Sequence, residues 1–163
     1  GDIDAMPVSN DIADVIVSNC VLNLVPNKQK VIGEIYRVLK PGGHFSISDI
    51  VLIGNLPNAL KEDAEMYAGC VAGAIQKSEY LQFIEDKGFQ NIKVQKEKPI
   101  IIPDDILTKY LSQEEVKIFN KGTTGIFSIT VYAEKPGTKQ EKPKVNLSEI
   151  SSTNVCKPNS GCC

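Results

Sequence analysis

The stretch from 13 to 52 restricts the fold more than any other part of this chain. Ala13-Asp14-Val15-Ile16-Val17-Ser18 is a short apolar run of the kind found in buried parallel strands. It gives way to polar residues at Ser18-Asn19-Cys20. Asn27 is placed to cap a helix over 28–39, where Val31, Ile32, Ile35, Val38 and Leu39 recur at helical spacing. Lys40-Pro41-Gly42-Gly43 stops that helix, because glycine accepts the left-handed C-terminal conformation and proline cannot continue a helix. Residues 44–52 then read as a second strand, with Phe45, Ile47, Ile50 and Val51 apolar. Strand, helix, turn and strand make a βαβ unit, whose crossover is nearly always right-handed. The expectation is an open α/β sheet with helices on its faces.

Further along, 56–67 reads as a helix with Leu60, Ala64 and Tyr67 on one stripe. Residues 68–74 are almost all small, which permits close backbone approach. Ser78 is expected to cap a helix over 79–87, ended by Gly88. Residues 92–96 read as a strand, and 98–103 as an extended, proline-bounded segment. Ser112 and Glu115 have capping-box spacing for a short helix through Phe119. Residues 125–133 form the clearest strand pattern in the chain. The composition changes after Ala133. The stretch 134–144 is rich in Lys, Glu, Pro, Gly and Thr and offers little surface to bury. The expected organisation is a folded portion over 1–135, followed by a linker and cysteine-containing tail over 136–163.

A chain of 163 residues can bury a sizeable core. Its formal net charge of −2 gives no electrostatic footprint for nucleic acid or an anionic membrane surface. No apolar run is long enough to span a bilayer. The opening Gly1-Asp2-Ile3-Asp4 lacks the basic and then apolar pattern of a secretory leader, so a cytoplasmic location is expected. Five cysteines stand at Cys20, Cys70, Cys156, Cys162 and Cys163. An odd, widely spaced set without an export signal argues against a disulfide framework. Buried inert thiols, redox thiols and soft-ligand chemistry remain open. His44 is the single histidine and reads as a surface residue at a strand start. Asp49 lies within the second strand as a cleft carboxylate or an edge charge.

Two stretches resemble the second half of class I (Rossmann-like) methyltransferases: Gly1-Asp2-Ile3-Asp4-Ala5-Met6-Pro7 and Arg37-Val38-Leu39-Lys40-Pro41-Gly42-Gly43. Three more are similar to arsenite methyltransferases. They are Ser18-Asn19-Cys20-Val21-Leu22-Asn23-Leu24, Tyr67-Ala68-Gly69-Cys70-Val71-Ala72-Gly73-Ala74 and Gly125-Ile126-Phe127-Ser128-Ile129-Thr130-Val131. The cysteine-rich end at Cys162-Cys163 also recurs in that family.

The resemblance implies that Cys20 and Cys70 are thiolate ligands of trivalent arsenic, and catalytic in that sense. Soft thiolates select such a centre over oxygen ligands. It implies that Ile3 and Asp4 lie along the adenine of S-adenosylmethionine. Asn19 reads either as a contact to cofactor or arsenic or as a turn residue. Cys162 and Cys163, with Cys156, are accessory thiols that deliver arsenic or act in redox chemistry, or a tail without a role. The expected partners are arsenite or thiol-bound trivalent arsenic and a thiol reductant, with no nucleic acid and no membrane. Two alternatives are a class I methyltransferase portion acting on another small molecule and a non-catalytic thiol-based metalloid-binding module.

The family pattern begins with a strand, a glycine-rich loop and an acidic ribose-binding residue, none of which is found in this sequence. The expectation is therefore a C-terminal part of the Rossmann-like sheet, lacking the cofactor-binding half and inactive by itself. Its first strand would be left as an edge open to self-association.

Overall fold

The computed structural model describes residues 1–56, 60, 71, 73–121 and 124–137. Among them, four strands form one sheet: β1 (Ala13–Asn19), β2 (Leu39–Ile53), β3 (Gln90–Pro99) and β4 (Gly125–Glu134), in the order β1-β2-β4-β3. β1 is parallel to β2, while β4 is antiparallel to both β2 and β3. Four helices accompany the sheet: α1 (Lys28–Val38), α2 (Lys77–Asp86), α3 (Asp104–Tyr110) and α4 (Gln113–Asn120).

Alternation along the strands divides the core in two, because successive side chains point to opposite faces. Phe45, Ile47 and Val51 of β2 and Phe127, Ile129, Val131 and Ala133 of β4 pack with Val31, Ile32 and Ile35 of α1 and Tyr80 and Ile84 of α2. Ile50 and Leu52 of β2 and Ile126 of β4 belong to a second core with Ile106 and Leu107 of α3 and Val116 and Phe119 of α4. Phe89 closes the first core edge-to-face against both Tyr36 and Phe45.

Local sequence explains most element ends. Asn27 caps α1 by accepting from the Lys30 amide at 2.9 Å. The Ser112–Glu115 capping box is complete at the start of α4. Gly88, at φ +93°, ends α2 in the left-handed conformation. The N-cap of α2 is Gln76, two residues before the expected Ser78, and no side chain caps it. β2 begins directly at Leu39, opposite Ala13, and the next pair is Val15 with His44. Residues 40–43 therefore bulge out of the ladder rather than forming a separate loop. The Gly42 amide donates to the Lys135 carbonyl at 3.0 Å, and the Lys135 amide donates to Gly43 at 2.9 Å. The strand after the turn is thus tied to the end of β4.

Three expectations are corrected. β1 is a parallel strand at the edge of the sheet, the position expected for it without a preceding strand, but the burial read from its apolar run is absent, with Val17 76% exposed. α3 was not expected. Asp49 is neither a cleft carboxylate nor an edge charge, but lies inside the first core at 1% exposure. The expected helix at 56–67, the cysteine at Cys70 and the tail carrying Cys156, Cys162 and Cys163 lie mostly or wholly outside the described residues. Leu60 and Val71 are described and are buried in the second core. No helix among the described residues is long and apolar enough to cross a membrane.

The bulge at 40–43 gives a direct test of this geometry. A Cβ at Gly43 would lie 2.9 Å from the Lys40 carbonyl oxygen and 3.0 Å from that of Asp14. Both are backbone atoms, so the contact is relieved only by moving strands. Gly43→Ala is expected to lower stability by about 1–3 kcal/mol, read as a reduced urea midpoint with unchanged slope.

Candidate functional site

The site is built where β1 ends. β1 pairs with β2 up to Asn19 opposite Ser48. The chain then turns through Cys20, which has φ +55°. A side chain with a Cβ is uncommon in that left-handed region, and the conformation persists only where its surroundings hold it. What holds it is the Cys20 amide, which donates to the Ser48 carbonyl at 2.8 Å. A short 3-10 turn, Leu22–Leu24, follows and drives Leu22 fully into the first core. Cys20 itself is half-buried.

Asn23 fixes this turn to β2 a second time. Its side-chain amide donates to the Ile50 carbonyl at 2.7 Å. Between Ser48 and Ile50 lies Asp49, facing inward in the row occupied by Ile47 and Val51. The Tyr80 hydroxyl of α2 donates to Asp49 Oδ2 at 3.1 Å. The Asn23 backbone amide also faces this carboxylate and favours its charged form. Burial outweighs these contacts and the attraction of Lys28, pushing the Asp49 carboxyl up to about 6. The Lys28 ammonium is in turn pulled down by burial and raised by Asp49 and Glu79. Burial, and then the charge of Asp49, pushes the Tyr80 hydroxyl well above its ordinary value. Asp49 Oδ1, Asn23 Oδ1 and Ser18 Oγ are buried without a hydrogen-bond partner among the described residues.

The segment that follows Cys70 returns to the same place. A Cβ on Gly73 would collide with the Asn23 carbonyl, so these two backbones touch. Two residues later the Ile75 carbonyl accepts from the Leu52 amide at 2.9 Å, and Gln76 bridges Leu52 in parallel. The chain three residues after Cys20 thus meets the chain three residues after Cys70.

The other expected site residues are distributed differently. Asn19 is exposed at the carboxyl end of β1, next to Cys20. Asp4 forms an ion pair with Lys30 at 3.1 Å, and Ile3 packs against the first core. A cleft of about 770 Å³ is lined by Asp4, Asn27, Lys30, Glu34 and Arg37 among others, and includes neither Cys20 nor Asn19. Arg37 there is occupied: it donates to Glu34, Asn10 and the carbonyls of Met6 and Val8, and its hydrogen bonding to Glu34 holds that carboxyl down to about 2. This cleft is a seam fastening the first ten residues to α1. His44 lies half-buried beside the Tyr132 ring, away from Cys20's end of the strand. Sequence reasoning missed Asn23, Lys28 and Tyr80. The one available signal was a carboxylate at an inward-facing position of β2, which requires partners on the elements above it.

A strand ending in a polar turn at the carboxyl edge of an α/β sheet is where such folds bind ligands, and similarity to known proteins agrees. Residues 1–88 match the family model described as a methyltransferase domain, and the chain belongs to that family. Its relatives place it with class I, S-adenosylmethionine-dependent methyltransferases related to arsenite methyltransferases. The chain is 37% identical over 112 residues to the arsenite methyltransferase of Halobacterium salinarum, covering 69% of this chain and 27% of that protein. It is 36% identical over 110 residues to that of Aquipseudomonas alcaligenes, covering 68% of this chain and 32% of that protein. The fold matches CrArsM, an arsenic(III) S-adenosylmethionine methyltransferase from Chlamydomonas reinhardtii. That match has a TM-score of 0.64 and 27% identity, over 86% of this chain and 44% of CrArsM. The chain thus spans about a third or less of the curated relatives and under half of the solved one.

The family uses S-adenosylmethionine, but the described residues alone do not make a cradle for it. Asp4 is committed to Lys30, Ile3 is turned into the core, and Asn19 stands alone at the strand end.

The buried carboxylate makes stability depend on pH in a defined direction. Asp49 rises from 3.8 in an unfolded chain to about 6 in the fold. Its contribution is therefore fully present below about pH 4 and is lost as pH rises through 6. The shift corresponds to about 3 kcal/mol. Asp49→Asn removes this titration. The stability of the variant relative to the parent is expected to fall by up to about 3 kcal/mol between pH 7 and pH 4, measured by urea unfolding at each pH. A constant difference across that range would contradict the burial of a charged carboxylate here.

Proposed function

We propose that this chain is the arsenical-binding part of an arsenite methyltransferase, with Cys20 and Cys70 as the thiolates that grip trivalent arsenic. One observation carries the reading: the backbone after Cys20 and the backbone after Cys70 touch at Asn23 and Gly73. Two cysteines far apart in sequence thus each stand three residues before one shared backbone contact. The names of the relatives support the same substrate.

In this reading the methyl group comes from S-adenosylmethionine, and this chain's own residues bind and orient the acceptor. Two thiolates on a soft trivalent centre leave its lone pair free as the nucleophile. Fixing arsenic at two points limits its orientation, and proximity with orientation is the largest catalytic term such a site supplies. The Cys20 backbone is held to Ser48 before substrate arrives, so less ordering remains for binding. A thiol reductant keeps both sulfurs reduced between turnovers. Cys162 and Cys163 act as accessory thiols that pass arsenic to the pair.

Arsenite titration of the full chain under reducing conditions, followed by calorimetry, tests the assignment. Cys20→Ser and Cys70→Ser are each expected to weaken binding by at least about tenfold, one factor of ten per 1.4 kcal/mol lost. The double substitution of Cys162 and Cys163 by serine should leave equilibrium affinity nearly unchanged. Dependence on the tail cysteines alone would mark a metalloid-binding module. Binding indifferent to all four would favour a methyltransferase acting on another small molecule.

A further inference from the structure

We infer that Asn23 is a positioning residue for the thiol pair: its side chain supplies one rung of the β2 ladder, and its backbone is the seat for the segment after Cys70. The inference rests on the arsenic-binding reading for its purpose, while its geometry is independent of arsenic.

Three rungs carry the edge of β2 past the end of β1. The Cys20 amide donates to the Ser48 carbonyl at 2.8 Å, the Asn23 side-chain amide donates to the Ile50 carbonyl at 2.7 Å, and the Leu52 amide donates to the Ile75 carbonyl at 2.9 Å. The first and third join backbone to backbone and place no demand on side chains. The middle rung needs a particular residue, a short side chain with an N–H donor. Strand geometry spaces Ser48, Ile50 and Leu52 by about 7 Å at each step. The Asn23 rung therefore stands between the fastening of the Cys20 turn and that of the segment after Cys70.

The other half of the clamp is steric. A Cβ on Gly73 would overlap the Asn23 carbonyl oxygen, so the segment after Cys70 lies directly on the Asn23 backbone. The side-chain bond to Ile50 anchors the residue that forms this seat. Asn23 is 5% exposed, and its Oδ1 has no partner among the described residues. An unpaired buried acceptor is costly. Leucine of similar shape would remove that orphan while leaving the Ile50 carbonyl unpaired, so stability alone gives asparagine little advantage. What asparagine adds is a fixed place for the turn and for the segment resting on it.

Arsenite binding by the full chain provides the test, with a phosphine as reductant and Cys156, Cys162 and Cys163 replaced by serine. Only Cys20 and Cys70 then offer sulfur. Each thiol that binds displaces one hydroxide of arsenous acid as water, so one As–S bond forms for each As–O bond broken. X-ray absorption counts sulfurs on arsenic, and calorimetry gives affinity. The reference chain is expected to hold arsenic by two sulfurs. Asn23→Leu is expected to hold it by one and to bind at least about tenfold more weakly. Made together with Cys70→Ser, the same substitution should change affinity by less than about twofold, since no second thiol remains to be positioned. A merely structural role predicts equal losses in both backgrounds, or two sulfurs retained in folded Asn23→Leu, and either result would overturn the inference. Should Asn23→Leu fail to fold by circular dichroism, Gly73→Ala parts the same contact from the other side and must also reduce the count to one; a count of two overturns the inference equally. A reference chain holding fewer than two sulfurs would overturn the arsenic-binding reading before Asn23 is touched, which separates the two failures.

Discussion

One edge of β2 must be covered along its whole length, and the rest of the site follows from how that is done. Its other edge is taken by β4 in an unbroken antiparallel ladder from His44 to Ile53. On the near edge β1 supplies partners only as far as Ser48. Buried backbone carbonyls and amides beyond that point need partners, because leaving them unpaired costs about as much as a lost hydrogen bond. The chain meets the need with pieces that are not strands. Cys20 takes Ser48, the Asn23 side chain takes Ile50, and residues 75 and 76 take Leu52. The requirement to finish one ladder thus draws together two stretches that lie about fifty residues apart, each just after a cysteine.

Much of this was legible in the sequence, and the reasons differ by element. α1 was readable because its apolar stripe and its Asn27 cap agree, and α4 because Ser112 and Glu115 form both halves of a capping box. β4 was readable because β-branched and aromatic residues dominate it, with Ile126, Phe127, Ile129, Thr130, Val131 and Tyr132. α3 was not, since seven residues hold barely two turns and Pro103-Asp104-Asp105 reads equally as a turn. The apolar run of β1 suggested burial, while the family pattern, lacking a preceding strand, pointed to the edge position the strand has. Cys20 was singled out only through family likeness; nothing in its spacing distinguishes a ligand from an inert thiol. Asp49 was noticed but misplaced, because alternation fixes the face of a strand and not what lies above it. Its partners Lys28, Tyr80 and Asn23 are dispersed over more than fifty positions.

The charges of the molecule fall into two kinds with opposite consequences. At the seam between the first ten residues and α1, Glu34 and Arg37 meet near the surface, and Arg37 reaches three further acceptors. Lys135 does the same at the other end, bonding Asp11 and the carbonyls of Tyr36 and Leu39 while lying 4.7 Å above the Tyr36 ring. Both sets fasten a segment without regular structure, and the Glu34–Arg37 contact favours the charged form of each partner. Around Asp49 burial opposes charge, and partners only partly offset it. A fold that needed stability alone would have no reason to keep the second kind.

The backbone of Cys20 supports the same conclusion by a separate route. Among the described residues, three other than glycine have positive φ: Asp11, Cys20 and Asn91. Aspartate and asparagine visit the left-handed region readily, since their short polar side chains bond locally. Cysteine visits that region less readily, and a glycine at position 20 would make the turn at lower cost. Ser48, Asn23 and the buried row beneath them hold the residue there nonetheless. Strain kept at a position where another residue would relieve it is retained for its side chain. Cys20 thus stands at the carboxyl edge of an α/β sheet, with Gly73 seated against the same turn, and the proposed ligand role would use the thiol there.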